Sequence, residues 1–314
     1  MKNKAMKKLC FALSMALTIT SIPFGTAATV QAKENEALAN VKAASLNGLN
    51  EYGLAQKVED GTILHCWCWD FNTIKEKMPE IAAAGFSSVQ TSPICQVLVG
   101  DNGGLEIIGE GKWYYHYQPT DYVVGNYQLG TEEEFQEMCT EAHKYGIKVI
   151  VDSVLNHCTS DYDSISDNIK NLEGGAFHEM NRPEGQNWSE TDRYEETQYD
   201  LSGLYELNTQ NKNVQNYILT FLKKCVEDGA DGFRYDAAKL IELPDDTSAK
   251  YGDSFQSDFW PTILQNGASF QYGEVLQEGG NHTYKNSEAG YDDGDSSRLS
   301  AYQSQTYTYQ GETH

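Results

Sequence analysis

Positive charge is what this sequence is short of. Its 314 residues carry 23 Lys and Arg against 46 Asp and Glu, a formal charge of −23. Nucleic acid, an anionic membrane or any other polyanion would need clustered Lys and Arg, so those partners are excluded. A neutral ligand is compatible. The chain also lacks any Cys-x-x-Cys pair, which leaves a zinc site unsupported. No Gly-x-Gly-x-x-Gly turn follows a candidate strand, which argues against a dinucleotide-binding sheet. Beyond residue 22 no stretch is apolar enough to span a bilayer. Aromatic rings, by contrast, are plentiful. Twenty Tyr and five Trp suit a carbohydrate, whose apolar ring faces stack on aromatic side chains.

Residues 1–32 read as an export signal. Lys2, Lys4, Lys7 and Lys8 precede an apolar run, Leu9 to Ile22, and Val30-Gln31-Ala32 fits a cleavage site. The run is shorter than the ~20 apolar residues of a membrane span and is interrupted by Ser14, Thr18, Thr20 and Ser21. Losing four lysines and no acids takes the formal charge to −27. The expected product is secreted, extracellular and monomeric. Six cysteines remain after Cys10 is removed; export would permit disulfides, but Cys66 and Cys68 lie in an apolar strand, and buried free thiols are expected.

Residues 33–60 are polar and Ala/Asn-rich, and read as a leader. From Gly61 strands and helices alternate. Thr62 to Cys68 is a short apolar run, and Phe71 to Ala84 has its apolar residues at helical spacing, closed by Gly85. Phe86 to Thr91 is a second strand. After a loop, Thr131 caps a helix whose first turn, Glu132 to Glu134, suits the positive end of the helix dipole. Ile147 to Asp152 is a third strand, apolar enough to be buried on both faces. Val214 to Val226 reads as a helix, Gly232 to Asp236 as a strand, Phe255 to Leu264 as a helix, and Phe270 to Glu274 as a fifth strand.

This alternation implies a parallel α/β fold. Asp152, Asp236 and Glu274 each fall at the end of an apolar strand, which points to a (β/α)8 TIM barrel, because acids on the C-terminal rim of barrel strands read as catalytic. From Asp236 to Glu274 is 38 residues, one βα unit; from Asp152 to Asp236 is 84. An insertion of about fifty residues therefore follows strand three, since one crossover needs only a dozen or more. The expected partition is barrel over 61–157, a small lid-like inserted domain over 158–209, and barrel again over 210–314. Only five βα units are countable, 40 residues follow Glu274, and a closed barrel takes ~250 residues. The expectation is an incomplete barrel. Residues 283–312 read as a surface loop: Asp292-Asp293-Gly294-Asp295 lacks the alternation and terminal Glu of an EF-hand.

Arg234 and Asp236 are two apart on a strand, so their side chains share a face. The guanidinium favours an ionised Asp236, as a nucleophilic carboxylate requires. Glu274 ends the neighbouring strand. Its sequence neighbours are aromatic and aliphatic with no cation, which predicts a raised pKa and suits a general acid that later acts as base. Two carboxylates on adjacent strand ends can sit ~5 Å apart, the separation in retaining glycosidases. Asn156 and His157 lie just beyond a strand end, where a cation or a sugar hydroxyl would be in reach.

Together these motifs resemble the α-amylase family of glycoside hydrolases, bacterial secreted members especially. The matching stretches are Val151-Asp152 through Asn156-His157, Gly232 through Lys239, and Gly273-Glu274. Gly61 to Thr73, Gln90 to Pro93, Tyr117-Gln118-Pro119, Leu129-Gly130-Thr131 and Leu240 to Asp246 flank them in the right order, so the likeness covers roughly residues 60–280. The resemblance implies an endo-acting, retaining hydrolase of α-1,4-glucan. It assigns the nucleophile to Asp236, the acid/base to Glu274, and the orienting of Asp236 to Arg234. His157 would hold a hydroxyl of the sugar at the cleavage point, and Tyr117 would stack on that sugar with Tyr114 and Gln118 close by. Lys239 would reach the sugar on the leaving-group side. A structural Ca²⁺ is implied, with Asn156, Thr197, Glu206 and the backbone at Leu240 as its ligand positions.

The chain departs from the family pattern in three places. Leu240 stands where a His is usual, Glu206 stands where an Asp ligand is expected, and no His-Asp pair follows Glu274 to supply a third carboxylate. The polypeptide on its own is expected to be inactive. Two other readings stay open: a different α-glucan enzyme (transglycosylase, α-1,6-glucosidase or pullulanase), and a glucan-binding paralogue without turnover.

Overall fold

The computed structural model describes residues 48–99, 113–179 and 193–274, and the backbone of a short antiparallel pair, Thr308–Tyr309 with Glu312–Thr313. The export signal and the Asp292–Asp295 loop lie outside the described residues.

The strands are β1 (Ile63–Cys66), β2 (Ser88–Thr91), β3 (Cys95–Val97), β4 (Pro119–Val124), β5 (Lys148–Val154), β6 (Gly232–Asp236) and β7 (Phe270–Gly273). The helices are α1 (Phe71–Ala84), α2 (Glu132–Lys144), α3 (Asp167–Lys170), α4 (Arg193–Gln198), α5 (Lys212–Glu227) and α6 (Phe259–Ile263). Strands β1, β2, β5, β6 and β7 form one sheet in that order, and every pairing is parallel. The five expected strands are therefore present, as an arc of a (β/α)8 barrel.

Local signals account for the long helices. The Asp70 carboxylate accepts from the Thr73 amide at 2.8 Å to open α1, and Gly85 closes it at φ +96°. Thr131 and Glu134 form a reciprocal capping box at the start of α2. Apolar faces then do the docking. Phe71, Ile74 and Met78 of α1, Phe135 and Met138 of α2, and Ile218, Phe221 and Leu222 of α5 are all buried in one cluster with Val89, Val149, Val151 and Phe233. Each such side chain contributes about 1.5–3 kcal/mol on burial.

The opposite, inward face of the sheet has a smaller apolar floor of Val58, Ile150 and Phe270, with Tyr272 packed on it. Gly232 sits there because a Cβ would lie 2.5 Å from the Phe270 carbonyl. Any side chain would force β6 from β7 beneath the site.

Four expectations are corrected. Residues 48–60 are not a free leader: Leu54 and Val58 are buried, and the Asn50 amide donates to the Tyr145 carbonyl at 2.9 Å. The stretch after β2 is more than a loop, since β3 and β4 pair antiparallel within it. Strand β5 continues to Val154, so Asp152 lies inside it, not at its end. Helix was expected over Phe255 to Leu264 but occupies only Phe259–Ile263, after which the chain tightens into a 3-10 turn.

The described part of the 158–209 insertion carries α3 and α4 and otherwise follows β4 and the end of β5. Its backbone bonds Thr159 to Pro119 and Ser166 to Thr120, and Asn168 donates to the Asp121 carboxylate at 3.0 Å.

Candidate active site

Register decides what meets at the rim. Asp152 of β5 lies opposite Arg234 of β6, which lies opposite Tyr272 of β7. Side chains alternate along each strand, so Asp152, Arg234 and Tyr272 form one inward rung, with Asp236 and Glu274 one step further toward the C-terminal rim. This is where barrel enzymes carry their catalytic groups.

The Arg234 guanidinium joins three carboxylates. Nη1 donates to Asp152 Oδ1 at 2.7 Å and Asp236 Oδ1 at 2.9 Å, and Nη2 lies 2.6 Å from Glu274 Oε1. Ala237, which follows the nucleophile candidate, has left-handed backbone angles (φ 48°, ψ 36°), uncommon for a residue with a Cβ. That turn aims its amide at Glu274 Oε2, 3.1 Å away. Glu274 is thus held from two sides, and the expectation of a cation-free setting is corrected. No sequence-local cation was needed, because the cation comes from the next strand.

Three carboxylates around one guanidinium leave negative charge in excess. Burial first, then the Asp152 charge, push Asp236 upward; Arg234 pulls it down, and Glu274 adds to the push. Asp152 is also raised, by burial first, against the pull of Arg234 and of the Tyr117 hydroxyl. The expectation that Arg234 alone keeps Asp236 ionised is therefore corrected, because the guanidinium is shared. Groups this close titrate as a unit. A proton retained within the cluster is what chemistry needing one acid and one base requires.

Tyr117 donates from its hydroxyl to Asp152 Oδ2 at 3.0 Å, and burial holds the phenol protonated. His157 is buried. Its Nε2 lies 3.1 Å from the Tyr117 carbonyl, and its Nδ1 lies 3.4 Å from the Asn156 amide nitrogen. Burial pushes it down to about 4, so it is neutral, donating to the carbonyl from Nε2. Gln118 accepts from the Thr159 hydroxyl at 2.9 Å. Tyr114 is exposed and packs edge-on against Trp113. Lys239 is half-buried in the 3-10 turn after β6, and its carbonyl accepts from Arg193.

Three participants were missed in the sequence. Asp152 was assigned no role beyond its rim position, yet it ties Tyr117 to Arg234. Trp67 packs against both Tyr117 (5.9 Å between ring centroids) and Trp113 (5.6 Å), extending the aromatic wall. Two tryptophans around the end of β1 were the signal available for that. His65 supports Trp67 edge-on at 5.1 Å, and burial with the Arg234 charge lowers its pKa.

Among the described residues no group of three or more His, Cys, Asp and Glu side chains is placed to hold a metal ion. The four positions implied for Ca²⁺ fall into two pairs. Asn156 and Glu206 are buried neighbours: His157 bridges Glu206, and the Leu207 amide donates to the Asn156 carbonyl at 2.9 Å. Thr197 and Leu240 sit on α4 and on the turn that α4 packs against. The Thr197 hydroxyl donates back to the Arg193 carbonyl at 3.2 Å, and its oxygen, like its backbone carbonyl, keeps lone pairs to offer. An oxygen-only donor set with one carboxylate fits a hard cation such as Ca²⁺. All six described cysteines are free, and five are buried.

Comparison with known proteins agrees with this architecture. The family model described as alpha amylase, catalytic domain, matches residues 58–268. An alpha-amylase of Butyrivibrio fibrisolvens is 45% identical over 238 residues, covering 70% of this chain and 24% of that protein. One from Clostridium acetobutylicum is 36% identical over 233 residues, covering 72% of this chain and 29% of that protein. The chain thus spans about a quarter of the length of these curated relatives. Among solved structures, alpha-amylase I of Eisenia fetida superposes with a TM-score of 0.57 at 24% identity, over 74% of this chain and 48% of that one. The Geobacillus thermoleovorans alpha-amylase complexed with acarbose does so at 0.54 and 21%, over 70% and 48%. A mutant of the Eisenia enzyme is described in complex with maltohexaose. The solved structures show the fold; the family model and the two bacterial relatives show more, and by them this chain belongs to the α-amylase family through its catalytic domain.

Proposed function

We propose that the protein is a secreted glycoside hydrolase that cleaves α-1,4-glucosidic bonds within starch and related glucans, with retention of anomeric configuration. The observation that carries this is the single guanidinium of Arg234 holding both Asp236 and Glu274 at adjacent strand ends. Two carboxyl groups bound to one fork suit the ~5 Å spacing of a retaining pair better than a wider pair with room for water between them.

In the first step Glu274 gives its proton to the glycosidic oxygen while Asp236 attacks the anomeric carbon. The C–O bond breaks, the shortened glucan leaves with the proton, and a β-glycosyl ester forms on Asp236. In the second step Glu274, now a base, takes a proton from water, whose oxygen displaces Asp236 and restores the α configuration. Arg234 stabilises the Asp236 carboxylate when it leaves. Asp152 acts behind it, fixing both Arg234 and the Tyr117 hydroxyl.

Tyr117 stacks on the sugar at the cleavage point, backed by Trp67, with Trp113 and Tyr114 continuing the wall. Gln118 and His157 hold the Tyr117 segment, and a sugar hydroxyl reaches His157 Nε2 by replacing the Tyr117 carbonyl. Lys239 meets the sugar on the leaving-group side. Asn156, Glu206, Thr197 and the backbone at Leu240 would hold Ca²⁺, which would join insertion to barrel by drawing oxygens from both. The export signal supports an extracellular location.

Because the 314-residue polypeptide on its own is expected to be inactive, the test is reducing-sugar release from soluble starch by the whole native protein that carries it and by the Asp236→Asn variant of that protein, with proton NMR of the first product anomer. Release that the variant lacks, and an initial α-anomer, are expected. An initial β-anomer would overturn retention, and equal release by the variant would overturn the role of Asp236.

A further inference from the structure

The described molecule holds a second arginine-carboxylate cluster, away from the reacting groups. Arg193 on α4 is the largest of the fully buried side chains, 1% exposed. Its Nε donates to Asp246 Oδ2 at 2.9 Å, and Nη1 lies 3.5 Å from Glu196 Oε2. Two further contacts go to main chain. Nη1 donates to the Lys239 carbonyl and Nη2 to the Ile241 carbonyl, the latter at 2.6 Å. Asp246 closes the same loop by accepting from the Leu243 amide at 2.7 Å.

That loop leaves the rim directly after Asp236 and turns through the left-handed Ala237 into the Ala238–Leu240 3-10 turn. Between β6 and α6 it has no other regular structure to hold its carbonyls. Two carbonyls two residues apart, engaged by the two ends of one planar fork, fix both the position and the pitch of the turn carrying Lys239. A lysine in place of Arg193 offers one point charge and cannot span the pair. Ring packing repeats the attachment further along: Tyr194 stacks on Tyr251 at 3.9 Å and 21°, and Lys250 pairs with Glu195 at 2.9 Å. Buried ion pairs add little net stability for their desolvation cost, so the distinctive contribution of Arg193 is geometric.

We propose that Arg193 is a positioning residue for the leaving-group side of the cleft, acting through the Lys239–Ile241 backbone. The inserted segment thereby sets where Lys239 meets the departing glucan. This rests on the glycosidase reading above, so the experiment separates the two. The native protein, its Arg193→Lys variant and its Asp246→Asn variant are assayed on two substrates. One is a maltooligosaccharide that places sugars on both sides of the cleaved bond. The other is a 4-nitrophenyl α-maltooligoside cleaved at the phenolate, which places no sugar on the leaving-group side.

The expected result for Arg193→Lys is a loss of about tenfold in kcat/KM on the oligosaccharide, the equivalent of ~1.4 kcal/mol, and less than about twofold on the aryl glycoside. Lys239→Met sets the reference signature. Equal losses on both substrates would mean that Arg193 only supports the fold, and no loss on either would mean that its contacts have no consequence; each overturns the proposal. If Arg193→Lys does not fold, Asp246→Asn, which retains an oxygen for Nε, carries the same comparison with a smaller loss. Hydrolysis of neither substrate by the native protein would instead remove the activity on which the proposal stands.

Discussion

The two arginine clusters use the same chemistry toward opposite ends. At Arg234 three carboxylates meet one guanidinium, and the cluster faces a cleft: Glu274 keeps 29% of its side chain exposed. At Arg193 the side chains of Arg193, Glu196 and Asp246 are 1%, 2% and 1% exposed, and two carbonyls share the guanidinium. The first cluster sets three carboxylates against one guanidinium and opens on the cleft, so protonation and ligand binding can act on it. The second is closed. A charged cluster at a strand end acts chemically when it is left short of counter-charge and open to substrate. It acts as a joint when it is sealed.

The comparison breaks most visibly at the proposed acid/base. Glu274→Gln is expected to lower turnover of maltooligosaccharide by roughly 10²–10⁴-fold, the usual worth of a general acid, and a glucan fluoride, whose leaving group needs no proton, should lose far less in the first step. Matching losses on both would remove Glu274 from that role. Next in size is the sealed cluster. Arg193→Met takes the guanidinium from two buried carboxylates and is expected to cost about 3–5 kcal/mol of stability, measured by urea unfolding at pH 7; a loss below ~1 kcal/mol would show that the cluster is not sealed.

The open cluster should respond in the other direction. The folded pKa of Asp236 lies above its unfolded value, so folding is favoured at low pH and opposed once pH rises past the unfolded value of about 3.8. Asp236→Asn should therefore raise stability at pH 7, by on the order of 1–3 kcal/mol, and the gain should vanish below about pH 4. A variant less stable than the parent at pH 7 would contradict the charge excess assigned to this site. Smallest of all is Lys212 with Asp258, paired at 3.0 Å while both side chains are more than 60% exposed. Lys212→Ala should leave the melting temperature within error, completing a series in which burial, not pairing, sets the effect.

Much of this was legible along the chain because the signals are local. Ile147 to Asp152 reads as a buried strand because its apolar residues run on without alternation, α1 announces itself through its apolar spacing and Gly85, and α2 through Thr131 and its acidic first turn. Arg234 and Asp236 share a face by the two-residue period alone. The pairing of β3 with β4 was not legible, since both strands are short and their register shifts twice. Nor were the contacts of Asp152 with Tyr117, 35 residues apart, or of Arg193 with Asp246, 53 apart.

The sequence by itself therefore determined the alternating α/β order, the caps, and the carboxylates that reach the rim, because each depends on neighbours within one turn or one pleat. Tertiary structure alone decided which charges meet. Strand register set Arg234 against Glu274 and Asp152, turning an apparently cation-free acid into a bound one. Chain return from the insertion set Arg193 under the Lys239 turn. Coulomb and hydrogen-bond energies depend on distance through space, and spacing along the chain carries no record of that distance once the chain has crossed the sheet.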